Sequence, residues 1–99
     1  MTYEVKLTED ARQDLRRLYA YMLERDEEAA ARALNTITQA FSILESFPFS
    51  CRKASGGGPL LRELLIPFGS SGYVALFRID GSNEVTVSAI RHQREDDYH

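Results

Sequence analysis

The sequence predicts a single α+β domain, spanning residues 1–99, in which one strand and two helices precede an antiparallel sheet. Two observations support this fold class. Between residues 9 and 47 apolar side chains recur every three or four positions, which is the period of an amphipathic helix. After residue 59 the apolar spacing changes to two, the period of a half-buried strand, and glycine-containing turns interrupt it. The predicted order is β-α-α-β-β-β, with both helices packed on one face of the sheet.

The first strand and the helical hairpin follow from patterns at the start of the chain. Residues 3–7 alternate apolar and polar, and the three odd-numbered side chains are expected to point inward. Thr8 is a suitable N-cap for a helix over residues 9–25, and Asp26 for a second helix that ends at Phe47-Pro48. Because almost no residues separate the two helices, they are expected to fold back on each other as an antiparallel hairpin.

The second half of the chain predicts a loop followed by a three-stranded meander. Residues 49–59 have a glycine-rich centre, but the Lys-Ser or Lys-Thr of a phosphate-binding loop is absent, which favours a linker turn. Strands are predicted over residues 60–66, 73–79 and 84–90, and the short turns between them make an antiparallel meander. The first strand is expected to join this sheet, but alternation does not determine which neighbour it pairs with.

Charge and composition exclude several classes of protein. There are 12 basic and 15 acidic side chains, and a net charge of -3 argues against binding nucleic acid mainly through its phosphates. Residues 52–94 are locally basic, with six basic and three acidic side chains, although ordinary surface scatter also explains this difference. One cysteine excludes an internal disulfide, and neither a signal peptide nor an apolar run of membrane-spanning length is evident. A cytoplasmic protein without membrane contact is therefore expected.

Few residues form combinations that could bind a metal ion or act as a nucleophile. The single cysteine and the two histidines, His92 and His99, have no metal-ligand spacing, so neither a metal nor another cofactor is expected. Cys51 has no recognisable base beside it in the sequence, and a passive thiol is the expected interpretation.

The candidate functional site is a group of basic residues in the predicted meander. Arg62 lies in its first strand, Arg78 in the second and Arg91 at the end of the third, and His92 and Arg94 follow directly. On one sheet face, these side chains would suit a phosphate, an RNA or a carboxylate-rich protein segment, with His92 available as a general acid or base. Two alternatives stay open, namely that each arginine pairs with a nearby acid and that His92 makes only structural hydrogen bonds.

The order of these segments resembles the RelE/ParE toxin superfamily over nearly the whole chain. The similarity rests on the end of the second helix, the Leu-Arg-Glu-Leu strand, the strand that ends in Phe-Arg-Ile, and the Arg-His-Gln-Arg tail, which are residues 44–48, 61–64, 73–79 and 87–95. The resemblance implies a toxin of a type II toxin–antitoxin module that arrests growth, stabilises plasmids and is neutralised by a ParD-type antitoxin. ParE-like members inhibit DNA gyrase without cutting nucleic acid, whereas RelE-like members are ribosome-dependent mRNA endonucleases. An inactive, antitoxin-bound member is a third alternative.

Within this resemblance the sequence favours a ParE-type gyrase inhibitor, which is not an enzyme, over a ribonuclease. The chain has two lysines and a pI near 5.3, whereas a nuclease must hold polyanionic RNA, and RelE-like members usually carry many basic residues. No catalytic residue and no sequence-specific nucleic acid binding are therefore expected. The candidates for target binding are Arg62, Arg78, Arg91, His92, Arg94 and Tyr98, of which His92 and Tyr98 become catalytic candidates in the ribonuclease alternative. The candidates for antitoxin binding, on apolar strips beside the helices, are Tyr19, Met22, Leu23 and Phe68.

Overall fold

The computed structural model describes residues 2–95 and has the predicted α+β architecture. The elements are β1 (Glu4–Leu7), α1 (Glu9–Leu23), α2 (Glu27–Ser46), a 3-10 turn (Pro48–Ser50), β2 (Arg52–Lys53), β3 (Leu61–Phe68), β4 (Ser71–Asp80) and β5 (Glu84–His92). The strands form one mixed sheet in the order β1-β5-β4-β3-β2, in which β1 runs parallel to β5 and the other neighbours are antiparallel. The predicted meander is therefore the centre of a wider sheet.

Both helices begin where the sequence predicts. The hydroxyl of Thr8 accepts a hydrogen bond from the amide of Ala11, and the carboxylate of Asp26 accepts from two amides in the first turn of α2. The second helix ends before Phe47-Pro48, as predicted, whereas the first ends at Leu23, two residues early. A tight turn between the helices uses those two residues, and the helices pack as the predicted antiparallel hairpin.

The helices cover one face of the sheet, and the hydrophobic core lies between the two layers. The strands contribute the buried side chains Leu64, Ile66, Tyr73, Ala75, Phe77, Ile79, Val85, Val87 and Ile90 to this core. In β5 the register against β4 shifts between Val87 and Ala89, so Ser88 is an extra residue. This bulge lets Val87 and Ile90, three residues apart, both face the helices.

The predicted strands 73–79 and 84–90 extend to Ser71–Asp80 and Glu84–His92, and the sheet differs from the prediction in two further places. The two-residue strand β2 pairs with β3 inside the predicted loop, and so short a segment carries no alternation to detect. The strand β3 continues through Pro67, where the prediction ended it. The carbonyl of Leu61 accepts a hydrogen bond from the amide of Ala54, so the backbone polar groups of Leu61 point to the β2 side. Backbone groups two residues apart in a strand point the same way, so the nitrogen of Pro67 also points to that side, beyond the end of β2. A missing N–H at that position removes no hydrogen bond to β4.

Candidate functional site

The arginines that were expected to share one sheet face lie on both faces. Arg62 is directly opposite Phe77 in the β3–β4 ladder, and directly opposite side chains project to the same side. Because Phe77 is fully buried under the helices, the side chain of Arg62 leaves the sheet on the helix side. Arg78 follows Phe77 in β4 and projects to the other side, which we call the open face. The prediction that Arg62 and Arg78 converge is therefore wrong.

The contacts of Arg62 fasten the loop between α2 and β3. Its Nη1 donates to the carbonyls of Phe49 at 3.0 Å and Cys51 at 2.8 Å, and its Nε donates to the carbonyl of Pro59 at 2.9 Å. The guanidinium also lies 5.3 Å from the ring centroid of Phe49. The expected alternative, a pair with Glu63, is replaced by an Arg52–Glu63 ion pair at 3.0 Å. Arg62 thus stabilises local structure.

Arg91 and Arg78 share the open face but lie far apart. Arg91 is opposite Val74, four residues from Arg78 along β4, which corresponds to about 13 Å. Nη1 of Arg91 donates to the carbonyls of the three residues His92, Gln93 and Glu95, and so folds the chain back after β5. The side chain of Arg78 is exposed, and its guanidinium makes no hydrogen bond or ion pair with the rest of residues 2–95. Its predicted alternative partner, Asp80, accepts from Thr86 instead.

His92 and Arg94 line an open cleft of about 580 Å³ between α1 and the ends of β4 and β5. We call it the α1–β5 cleft. Apolar walls and charged rims are combined here, which is typical of a surface that binds another molecule. Its lining residues are Arg17, Leu18, Tyr21, Met22, Tyr73, His92, Arg94 and Glu95.

A chain of charged contacts holds the two sides of this cleft together. The buried carboxylate of Asp14, 4% exposed, accepts from the amide of Ile90 at 2.8 Å. The amide of Ile90 lies on the side of β5 that pairs with β1, but the pairing with β1 ends before this residue. Helix α1 therefore supplies the acceptor that a neighbouring strand would otherwise provide. The guanidinium of Arg17 lies between two carboxylates, with Nη2 3.7 Å from Oδ1 of Asp14 and Nη1 3.3 Å from Oε1 of Glu95. The same Oε1 of Glu95 accepts a hydrogen bond from the amide of His92 at 2.9 Å. The cleft is therefore fixed by side chains from both ends of the sequence.

His92 is held by hydrogen bonds at both ring nitrogens. The amide of Arg94 donates to Nδ1 at 3.1 Å, and because an amide is always a donor, the neutral ring carries its proton on Nε2. Nε2 then donates to the hydroxyl of Ser71 at 3.2 Å. The ring also meets Tyr73 edge-on, with centroids 5.5 Å apart. In this tautomer neither nitrogen is free to accept a proton from a substrate, so the geometry fits the hydrogen-bonding alternative.

The predicted antitoxin contacts gather around the cleft. Met22 lines it directly, and Leu23 is exposed at the same end of α1. Phe68 packs against Tyr73 in the cleft wall, with ring centroids 6.1 Å apart. Tyr19 lines a small gap between the two helices and Tyr73. Tyr98, the remaining candidate for target binding, lies outside the described residues.

Other titratable groups show local effects. Burial raises the pKa of the Cys51 thiol, which disfavours the reactive thiolate. Hydrogen bonds from Lys6 to Glu84 and Glu4 raise the pKa of its ammonium group. Within residues 2–95 there is no group of three or more potential metal ligands, and neither helix is long and apolar enough to cross a membrane.

Comparison with known proteins decides the family. The model of the ParE toxin of the type II toxin–antitoxin system parDE matches residues 5–97. The chain belongs to this ParE toxin family. Two curated relatives from Caulobacter vibrioides are Toxin RelE1, 39% identical over 96% of this chain and 98% of its own length, and Toxin RelE3, 34% identical over 92% and 95%. The protein is therefore a toxin of the ParE/RelE type, as the sequence resemblance implied.

Solved structures of two toxin–antitoxin systems contain chains with the same fold. A chain of the chromosomal ParDE system from P. aeruginosa superposes with a TM-score of 0.74 at 22% identity, covering 92% of this chain and 96% of that one. A chain of the RelBE2 toxin–antitoxin complex from Mycobacterium tuberculosis gives a TM-score of 0.59 at 22% identity, covering 94% and 100%.

The sequence analysis did not name five of the residues that line this cleft, namely Arg17, Leu18, Tyr21, Tyr73 and Glu95. Arg17, Tyr21 and Glu95 line the cleft, but nothing in their spacing distinguishes them from solvated surface residues. Asp14, which braces the cleft, did leave a signal. It stands three residues after Ala11 and four before Leu18, which places a carboxylate on the apolar side of α1.

Proposed function

We propose that this toxin acts by binding and inhibiting DNA gyrase and that it does not cleave RNA. The observation that carries the proposal is the dispersal of the basic side chains. Cleavage of a phosphodiester needs several cations and a base around one phosphate. Here Arg62 binds loop carbonyls on the helix side, Arg78 lies on the open face, and both nitrogens of His92 are engaged. A net charge of -3 also disfavours a polyanionic substrate.

Two exposed arginines remain candidates for contact with the target. Arg78 on the open face and Arg94 at the rim of the α1–β5 cleft both have exposed side chains. Arg62 and Arg91 are better described as residues that fix the backbone, since each guanidinium binds three carbonyls.

We further propose that a ParD-type antitoxin occupies the α1–β5 cleft. The matched solved structures are described as a ParDE system and a RelBE2 toxin–antitoxin complex, which supports an antitoxin partner. In the cleft, Met22 and Tyr21 offer apolar contact area beside the cation of Arg94. This combination suits an antitoxin segment that carries an apolar side chain close to a carboxylate.

The second candidate function is a ribosome-dependent mRNA endonuclease. It is favoured by the names of the two Caulobacter relatives, both called RelE. In that case His92 would have to rotate or change tautomer before it could act as a base. The catalytic candidates would then be His92 and Tyr98.

The decisive experiment measures gyrase and translation side by side. Toxin separated from its antitoxin is added to purified gyrase with relaxed plasmid, and to a translating extract with a defined mRNA. We expect loss of supercoiling with accumulation of cleaved DNA, and no codon-phased mRNA cuts. Cuts in the mRNA with normal supercoiling would instead establish the ribonuclease alternative, and no effect in either assay would identify an inactive member.

The antitoxin site is tested by a pair of matched substitutions. Met22→Asp places a charge in the cleft and should weaken antitoxin binding by at least about tenfold, because a carboxylate is costly to desolvate in an apolar contact. Leu65→Asp is the control, since Leu65 is 46% exposed on the open face. If both variants bound the antitoxin with equal affinity, the proposal that the antitoxin binds in the cleft would be wrong. Affinity is measured by titration calorimetry with the purified antitoxin.

A further inference from the structure

Two phenylalanine rings are exposed immediately after α2. Phe47 is 67% exposed and Phe49 is 52% exposed, the first being the most exposed of the large apolar side chains within residues 2–95. They flank Pro48, which is fully buried, so the chain dips into the core between them. We call residues 47–50 the Phe47–Phe49 turn.

The backbone of this turn is fixed by several hydrogen bonds. Both the amide and the hydroxyl of Ser50 donate to the carbonyl of Phe47, at 3.1 and 2.7 Å. The amide of Cys51 donates to the carbonyl of Pro48, and Arg62 holds the carbonyl of Phe49. Because the backbone that carries the two exposed rings is already fixed, it loses little conformational entropy when the rings bind a partner.

Folding gives no reason for an aromatic side chain at Phe47, whereas the ring of Phe49 lies 5.3 Å from the Arg62 guanidinium and is still about half exposed. Exposed rings contribute little burial free energy, and a polar residue would serve a solvated turn equally well. Exposed aromatic residues on rigid segments are typical of the centres of protein–protein interfaces. The turn therefore has the properties of a binding surface.

The charges around the turn indicate the chemistry of the partner. Residues 41–63 contain three basic and two acidic side chains, of which Arg52 and Glu63 pair with each other, whereas the rest of the chain contains nine basic and thirteen acidic ones. The side chain of Lys53 is exposed, and its ammonium group makes no hydrogen bond or ion pair with the other described residues. An apolar protein pocket with an acidic rim complements this surface. A nucleic acid fits less well, because the molecule as a whole is acidic.

The turn lies away from the α1–β5 cleft. The carbonyl of Glu45, just before the turn, accepts from the amide of Tyr3 at the start of β1. Arg62, which holds the turn, is opposite Phe77, and Tyr73 in the cleft wall is four residues further along β4, or about 13 Å. The cleft and the turn are therefore separate surfaces at opposite ends of the sheet.

We propose that the Phe47–Phe49 turn is the surface through which this toxin binds its protein target, by inserting the two rings into an acidic-rimmed apolar pocket. This inference rests on the proposed gyrase function and names the toxin surface that carries it out. On this inference the turn, and not Arg94 in the cleft, makes the main contact with the target, so the target and the antitoxin bind different surfaces.

The test compares the double variant Phe47→Ser/Phe49→Ser with Leu65→Ser, an exposed apolar control on the open face. Each toxin is titrated into the gyrase supercoiling assay, and its affinity for the purified antitoxin is measured. We expect the double variant to need at least about tenfold more protein for half-inhibition, as for truncated aromatic anchors, while its antitoxin affinity stays unchanged. Lys53→Glu should weaken inhibition about three- to tenfold, more at low than at high salt. Circular dichroism and urea midpoints confirm that the variants are folded.

The outcomes separate this inference from the proposed function. Wild-type toxin that leaves gyrase unaffected overturns the gyrase function and this inference with it. Wild-type inhibition that the folded double variant matches overturns this inference alone. Loss of antitoxin affinity with full gyrase inhibition would assign the turn to the antitoxin and also overturn it.

Discussion

The two ends of the sheet are stabilised in different ways. At the α1–β5 cleft, Asp14 and Arg17 in the first helix contact residues 76 and 78 positions later in the chain. At the Phe47–Phe49 turn, Arg62 contacts carbonyls only 3 to 13 positions earlier. The cleft thus exists only once the whole sheet has formed, whereas the turn depends on local contacts. Substitutions should therefore affect each end separately.

The largest effect is expected from removing the buried carboxylate at the cleft. Asp14→Ala leaves the buried amide of Ile90 without this acceptor and should lower the free energy of unfolding by about 2–4 kcal/mol. Asp14→Asn keeps an acceptor oxygen and should lose less than half as much. Urea unfolding followed by circular dichroism measures both. Equal losses in the two variants would mean that the negative charge, and not the acceptor, matters.

A smaller effect is expected at the other end from Arg62→Ala. Three carbonyls lose a charged donor, which should reduce stability by about 1–2 kcal/mol and speed protease cleavage in residues 54–59. Arg62→Lys should restore little, since an ammonium lacks the planar fork that reaches three acceptors. Arg78→Ala is the matched control on an exposed arginine, with no change expected. Unaltered protease cleavage in Arg62→Ala would show that the loop is fixed without it.

The hairpin turn near the cleft offers a third, still smaller test. Asp26 accepts from the amides of Glu28 and Ala29, so Asp26→Ala should lower the free energy of unfolding by about 1 kcal/mol. Asp26→Asn should be nearly neutral because asparagine caps helices as well as aspartate does. Both are measured in urea. A loss in the asparagine variant as large as in alanine would assign the effect to the helix dipole.

The smallest effect concerns pH and the buried tyrosine of the cleft wall. Tyr73 is 3% exposed, and burial raises the pKa of its phenol above the usual 10.0. A raised pKa in the folded state means that the unfolded chain loses this proton first, so the stabilisation is present below pH 10 and falls as the pH rises above it. Tyr73→Phe should remove this fall, which amounts to less than about 1 kcal/mol at pH 10.5. Urea midpoints at pH 8 and 10.5 give the comparison. An identical alkaline loss in the variant would assign it to other groups.

Local signals in the sequence predicted most of the fold. Thr8 and Asp26 cap helices because a short polar side chain before an apolar stripe serves the same purpose in any context. The proline after Phe47 ends α2 through the steric restriction on its predecessor. The pairing of β1 with β5 was undetermined, because alternation reports which side is buried and says nothing about the neighbour.

The candidate site was harder to predict because it depends on which face each strand residue occupies. Arg62 shares its parity with the core residues Leu64 and Ile66, but Leu61 and Leu65 are apolar too, so period two alone did not place Arg62 on the helix side. Its contacts with loop carbonyls depend on the folded loop and leave no sequence pattern. The cleft lies between α1 and the end of β5, which are far apart in the sequence. They come together because β1, directly before α1, pairs in parallel with β5, and the sequence did not determine that pairing.

The parallel pairing of β1 with β5 also determines when the toxin can fold during its synthesis. Glu4 is in register with Glu84, so the first strand stays without its neighbour until the last strand has left the ribosome. Before then α1 lacks the strand with which it makes most of its contacts to the sheet, and chains dominated by such distant contacts fold slowly. The nascent chain therefore passes through a stage in which apolar side chains of α1 are still exposed. An antitoxin that binds the α1–β5 cleft, as proposed above, has no complete site before β5 has been synthesised.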